Sequence, residues 1–208
     1  MNYSQETLVD PTLLAHQYQD DLTVLEFSSD NMTNTKISVR GKRYLSYVVE
    51  SNRDNTRTSV YRVEYQSERT LVATIDRGNV FPDKITLDGA TIRLSQWLRT
   101  PTLSEFPAKM HVGGVDYVWK KNLVDQLRMV ARDEPATPLA WFCRSRYQTV
   151  DKHDVYHPAT LFITKDADEV RESVLVACVI LEHKIRLRAK AYGVTMVADA
   201  MRRPSHSY

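Results

Sequence analysis

ESVLVACVILEHKIR, residues 172–186, decides how the rest of the chain is read. Val174 to Leu181 is an unbroken apolar run of eight residues. Upstream, Asp166 and Glu169 stand at capping-box spacing and put acids in a first helical turn. Downstream, Lys184, Arg186, Arg188 and Lys190 fall in the last turns, where cations favour the helix dipole, and Gly193 offers a stop. The rival reading is a buried central strand, since Val and Ile abound. A periodic segment of roughly 24 residues is too long for a typical strand, so a helix is expected. Val174, Leu175, Val176, Cys178, Val179, Ile180 and Leu181 leave no polar side to that helix. A helix apolar all round must be surrounded by protein.

The preceding residues supply the material to surround it. Short strand-like runs follow one another from Leu22: Thr23 to Phe27, Lys36 to Val39, Tyr44 to Glu50, Thr58 to Tyr65 and Thr70 to Asp76. Alternation puts Tyr61, Val63 and Tyr65 on one face, and likewise Leu71, Ala73 and Ile75. Asp88-Gly89 between Ile85–Leu87 and Ile92–Leu94 predicts a type I′ hairpin, because both central positions need positive φ. Gly113-Gly114 predicts a second hairpin, with Val115, Tyr117 and Trp119 sharing a face. Further strands are expected at Leu127 to Arg132, Leu139 to Tyr147 and Thr160 to Lys165, with Gln148 to Pro158 as a polar loop. Trp97, Trp119 and Trp141 read as core residues.

The expected architecture is therefore mainly β: a closed antiparallel barrel of about 12 strands around a central hydrophobic C-terminal helix. Residues 1–21 form a lead-in, 22–192 the barrel domain and 193–208 a basic tail. With 208 residues, 42% hydrophobic and 26% charged, the composition is that of a globular domain. No apolar run approaches the roughly 20 residues of a membrane-spanning helix. Residues 1–10 carry no secretory signal. Two cysteines, Cys143 and Cys178, build neither a disulfide framework nor a cysteine zinc site, which favours a reducing, cytoplasmic setting. Net charge is only +2, but it is unevenly spread. Residues 1–35 hold six acids and no Lys or Arg; residues 183–208 hold six Lys or Arg and one acid.

The order of the pieces resembles a domain family expanded in mushroom-forming basidiomycete fungi. That family is related in fold to the tubby C-terminal domain, the LURP-one-related plant proteins and the phospholipid scramblases. The resemblance is carried by LTVLEF at Leu22 to Phe27, the paired strands around Tyr44 to Tyr65, LVATID at Leu71 to Asp76, ITLDGATIRLSQWL at Ile85 to Leu98 and GGVDYVWK at Gly113 to Lys120. PLAWF at Pro138 to Phe142, ATLFI at Ala159 to Ile163 and the helix at Glu172 to Arg186 complete it. It implies a tubby-like barrel threaded by a helix. It also implies binding of phosphoinositides through exterior basic residues, as tubby domains do. The chain lacks a membrane helix and a cysteine cluster, which argues against scramblase activity.

Basic residues are the natural candidates for such a ligand. Lys120 and Lys121 end one strand; Arg144 and Arg146 alternate on another beside Tyr147. Guanidinium suits phosphate through bidentate hydrogen bonds. His153 and His157 in HDVYH have the four-residue spacing of a helical zinc pair, but lack the intervening Glu and a third ligand. Cys143 with His111 or His153 reads as a buried structural thiol rather than a nucleophile and base. No nucleotide loop or hydrolase elbow is present, no metal or cofactor is called for, and no nucleic-acid module is recognised. The expectation is a non-enzymatic binding module, peripheral at a membrane with anionic phospholipid as ligand. The alternatives are a soluble protein-interaction domain and, more remotely, a hydrolase using the His153/His157 loop.

Overall fold

The computed structural model describes residues 21–202, except 66–67, 79–80, 102–103, 122–125 and 151–152. The lead-in, apart from Asp21, and residues 203–208 of the tail lie outside that range.

Seven strands run as an antiparallel meander: β1 (Leu22–Phe27), β2 (Asn34–Val39), β3 (Ser46–Ser51), β4 (Arg57–Val63), β5 (Arg69–Asp76), β6 (Lys84–Leu87) and β7 (Ala90–Arg93). A single helical turn, α1 (Leu94–Trp97), leads into β8 (Leu98–Arg99), β9 (Ala108–Val112), β10 (Val115–Lys121), β11 (Leu127–Ala131) and β12 (Pro138–Cys143). The strand β15 (Thr160–Thr164) sits between β1 and β12 and joins the two meanders into one 13-stranded sheet with β7 and β8 at its edges. A 3₁₀ segment, Lys165–Val170, then delivers the chain to α2 (Arg171–Arg202).

Local chemistry explains most of these elements. β2 alternates exposed and buried residues, with Thr35, Ile37 and Val39 inward. Asp88 and Gly89 have φ of 48° and 77°, as the turn requires. Gly113 is held at φ 59°, and a Cβ there would meet Val170 Cγ1 at 3.4 Å, so the turn lies against the segment that starts the helix.

Val174 to Leu181 are each no more than 2% exposed. Eight successive helical residues sample every azimuth, so this stretch of α2 is enclosed by protein on all sides. Trp97, Trp119 and Trp141 are buried. Among the described residues no ladder joins β7 to β8, so the large antiparallel sheet is not closed by hydrogen bonds. The two edges are nevertheless tied by α1, whose four residues and 1.5 Å rise hold the strand ends within about 8 Å.

Several expectations are corrected. Asp166 and Glu169 lie in the 3₁₀ segment, so α2 begins later than a capping box would place it. Asp168 accepts a hydrogen bond from Thr23 Oγ1 at 2.7 Å, tying the helix start to β1. Gly193 does not stop the helix, which runs on to Arg202 and carries it across the boundary expected at 192/193. A glycine costs only about 1 kcal/mol in a helix, too little by itself to end one. A bulge opposite Val60 makes Val72 and Ala73 both buried and turns Leu71 out, so Leu71 does not share a face with Ala73 and Ile75. Leu94 starts a helical turn rather than ending a strand. Gln148 to Pro158 is not a loop: β13 (Arg146–Val150) and β14 (His153–His157) form a separate two-stranded arm.

Candidate functional site

The strand directions place Phe27, Ser51, Asp76, Lys121, Cys143 and the arm at one end of the sheet, the end through which α2 leaves. Glu182, fully buried, marks that exit. An acid in so apolar a helix demands compensation. Arg144 supplies it by donating Nε–H to Oε1 and Nη2–H to Oε2, the latter at 3.3 Å. Arg186 donates to Oε1 at 2.9 Å and also pairs with Asp30 in the β1–β2 turn. Ser145 donates its hydroxyl to Asp30 at 2.7 Å. Two guanidinium groups thus neutralise two carboxylates in a closed circuit that fastens α2 to the root of the arm. Sequence reading placed Arg144 with Arg146 on one strand. In fact β12 ends at Cys143 and β13 begins at Arg146, and Arg144, in the link between them, holds Glu182.

Two groups at this exit titrate away from their ordinary values. His183 is pushed down to about 4, first by burial and then by the nearby Arg77, Lys190 and Arg186. For Asp30, burial pushes upward, but hydrogen bonds from Arg186 and Ser145 outweigh it and hold the carboxyl below its ordinary 3.8. Between pH 6.5 and 4 the unfolded chain protonates His183 while the folded protein does not, so stability falls on acidification across that window. The Asp30 contribution is lost only below pH 3.8, as the folded carboxyl itself protonates. Urea unfolding followed from pH 7 to 4 is expected to show this decline, and His183→Gln is expected to flatten it. A decline identical in both proteins would refute the assignment.

The outer face of β8 to β11 has a different character. Its register sets Arg99 directly opposite Lys109 and Lys120 directly opposite Arg128. Like charges facing each other across strands are destabilising. Among the described residues, Arg99 and Lys109 have no acidic partner. Asp116, the acid on this face, is already engaged: it lies 2.8 Å from His111 Nδ1 and 3.3 Å from Arg132, and those hydrogen bonds hold it below its ordinary value. Where the edges β7 and β8 approach, Ile92, Trp97, Arg99, Lys109, Tyr117 and Arg132 line a groove of about 580 Å³. Sequence reading found Lys120 here but missed Arg99, Lys109 and Arg128, whose signal was their place at alternate positions facing outward.

The remaining candidates are dispersed. Lys121 closes β10 at the exit end, and Arg146 starts the arm. His153 and His157 both lie on β14, where a four-residue interval spans about 13 Å, too far to share a metal ion. His111 sits beside the turn at the far end of the sheet from Cys143, whose sulfur accepts Gln126 Nε2–H at 3.6 Å. Among the described residues no cluster of His, Cys, Asp and Glu suits a metal, and no helix is long and apolar enough to cross a membrane.

Fold and surface together define a mainly β protein: a large antiparallel sheet folded over one C-terminal helix and presenting a cationic outer face. A family model matches residues 30–187, and the chain belongs to that family, described as a family of unknown function (DUF6593). No curated protein and no solved structure matches the chain.

Proposed function

We propose that this protein is a non-catalytic binding module that docks on anionic phospholipid through the outer face of β8 to β11. The observation that carries the reading is the like-charge cross-strand match of Arg99 with Lys109, neither of which has an acidic partner among the described residues. Such a pair costs stability in the free protein and favours any anion that bridges it. The proposal includes the fold relationship implied by the sequence: a tubby-like barrel of the fungal type. The burial of Val174 to Leu181 on every side of α2 and the tethering of β7 to β8 by α1 support closure of the sheet.

Liposome co-sedimentation tests it, with neutral vesicles and vesicles carrying phosphoinositides, at low and physiological salt. Binding is expected only to the anionic vesicles and weakens with salt. Each basic residue near such a surface contributes about 1 kcal/mol, so Arg99→Glu/Lys109→Glu/Lys120→Glu should lose at least about 100-fold in partitioning. The single change Lys109→Glu should not lower thermal stability, because it replaces repulsion opposite Arg99 with attraction. Absence of binding by the unaltered protein at both salts would overturn the reading in favour of a protein-interaction domain.

A further inference from the structure

The groove between the two sheet edges exists because β8 is short. With two residues, β8 pairs Leu98 with Met110 and Arg99 with Lys109. Among the described residues, His111 and Val112 at the end of β9 therefore face no strand on that side. Ile92 of β7, with Gln96 and Trp97 of α1, forms the opposite wall. The volume, about 580 Å³, falls within the range of about 300–1,000 Å³ typical of small-molecule sites. Part of the lining is apolar: Trp97, Met110 and Tyr117 are buried behind the groove, Val118 is half-buried and Ile92 is 40% exposed. The rest is charged. Asp116 already answers His111 at 2.8 Å and Arg132 at 3.3 Å. Arg99 and Lys109, directly opposite each other and both exposed, are left as two positive charges with no acid among the described residues.

We infer that this groove binds one phosphate monoester with an apolar body, the phosphate held between Arg99 and Lys109 and the body against Ile92, Trp97 and Tyr117. The charge balance selects the head. A phosphate monoester carries about −1.5 to −2 near neutral pH, which matches the two uncompensated cations. A monocarboxylate would neutralise only one of them. Phosphate brings both charges to one centre and offers oxygens to the Arg99 fork and the Lys109 ammonium together. The size of the groove selects the body, because a phosphate alone would leave the apolar wall facing water. The inference rests on the cationic face proposed above as an anion site, and narrows it from a surface to a pocket taking one ligand at a time. A phospholipid headgroup and a free organic phosphate share this chemistry, and experiment separates them.

Calorimetric titration of the full chain with phenyl phosphate and with inorganic phosphate tests the pocket. Phenyl phosphate is expected to bind one-to-one and more tightly than inorganic phosphate. Arg99→Gln/Lys109→Gln should weaken both at least about tenfold, the scale of lost charge-assisted hydrogen bonds. Ile92→Ser should weaken phenyl phosphate alone, by about threefold or more, since it removes apolar contact and no charge. Equal affinity for the two probes, or binding unchanged in Arg99→Gln/Lys109→Gln, would overturn the inference. Phosphoinositide vesicles form the second arm. Release of vesicle-bound protein by phenyl phosphate would support the pocket with a lipid headgroup as its ligand. Saturable binding of phenyl phosphate without vesicle binding would support the pocket for a free organic phosphate and overturn the membrane reading. Vesicle binding with no saturable binding of phenyl phosphate would overturn the pocket and leave the membrane reading standing.

Discussion

Val176→Asp is expected to yield no folded protein. Val176 is fully buried at the centre of the apolar run of α2, and its neighbours on every side are side chains of the core. A carboxylate there has no cation within the core cluster to meet it. An unpaired charge so placed costs several kcal/mol even after it is driven to protonate. The lost valine packing adds about 1 kcal/mol or more. Domains are stable by only about 5–15 kcal/mol, so the sum removes most or all of the margin. Ile180→Asp should behave in the same way, whereas Val176→Ala should fold with a loss of about 2 kcal/mol. Soluble expression and circular dichroism read the difference. A soluble Val176→Asp protein with native β signal would refute the enclosed helix.

Arg186→Leu is expected to cost about 3 kcal/mol, the scale on which removing one partner of a buried pair is felt. It leaves Glu182 with Arg144 alone and strips Asp30 of its cation. For a chain of this size that corresponds to a fall of about 6–12 °C in Tm. Glu182→Leu/Arg186→Leu should cost less than Arg186→Leu by itself, because the double change removes the buried carboxylate along with its partner. Urea unfolding of the unaltered protein and the two variants measures this. Arg186→Leu within 1 kcal/mol of the unaltered protein would mean that the circuit is effectively solvated. The same experiment bears on the arm, because its root is the circuit: loosening the circuit should expose the Arg144–Ser145 link to proteolysis before the rest of the chain unfolds.

The sequence by itself determined what local rules can determine. Turn chemistry placed the hairpins at Asp88-Gly89 and Gly113-Gly114, where positive φ leaves little choice of residue. Period-two alternation found most strands, and a run apolar on all sides required a helix with protein around it. What local rules cannot see is a residue added out of phase. The bulge at Val72 reversed the side of Leu71. The polar arm hid because both its faces meet solvent, so no alternation marks it. Gly193 looked like a stop because glycine favours helix ends, yet its cost inside a helix is modest and α2 runs on past it.

The site divides along the same line. Lys120 was legible because alternation sets its direction outward. Arg144 was not, because its fate depends on Glu182, 38 residues away in sequence, and on Asp30, which Arg186 meets across 156 residues. Those encounters exist because β15 comes home between β1 and β12, bringing the first turn, the root of the arm and the helix exit to one end of the sheet. Likewise Arg99 and Lys109 became a facing pair only through the register of β8 on β9. Side-chain direction is a property of the local backbone and can be read along the chain. The identity of the charge opposite is a property of strand order and register, which only the tertiary structure decides.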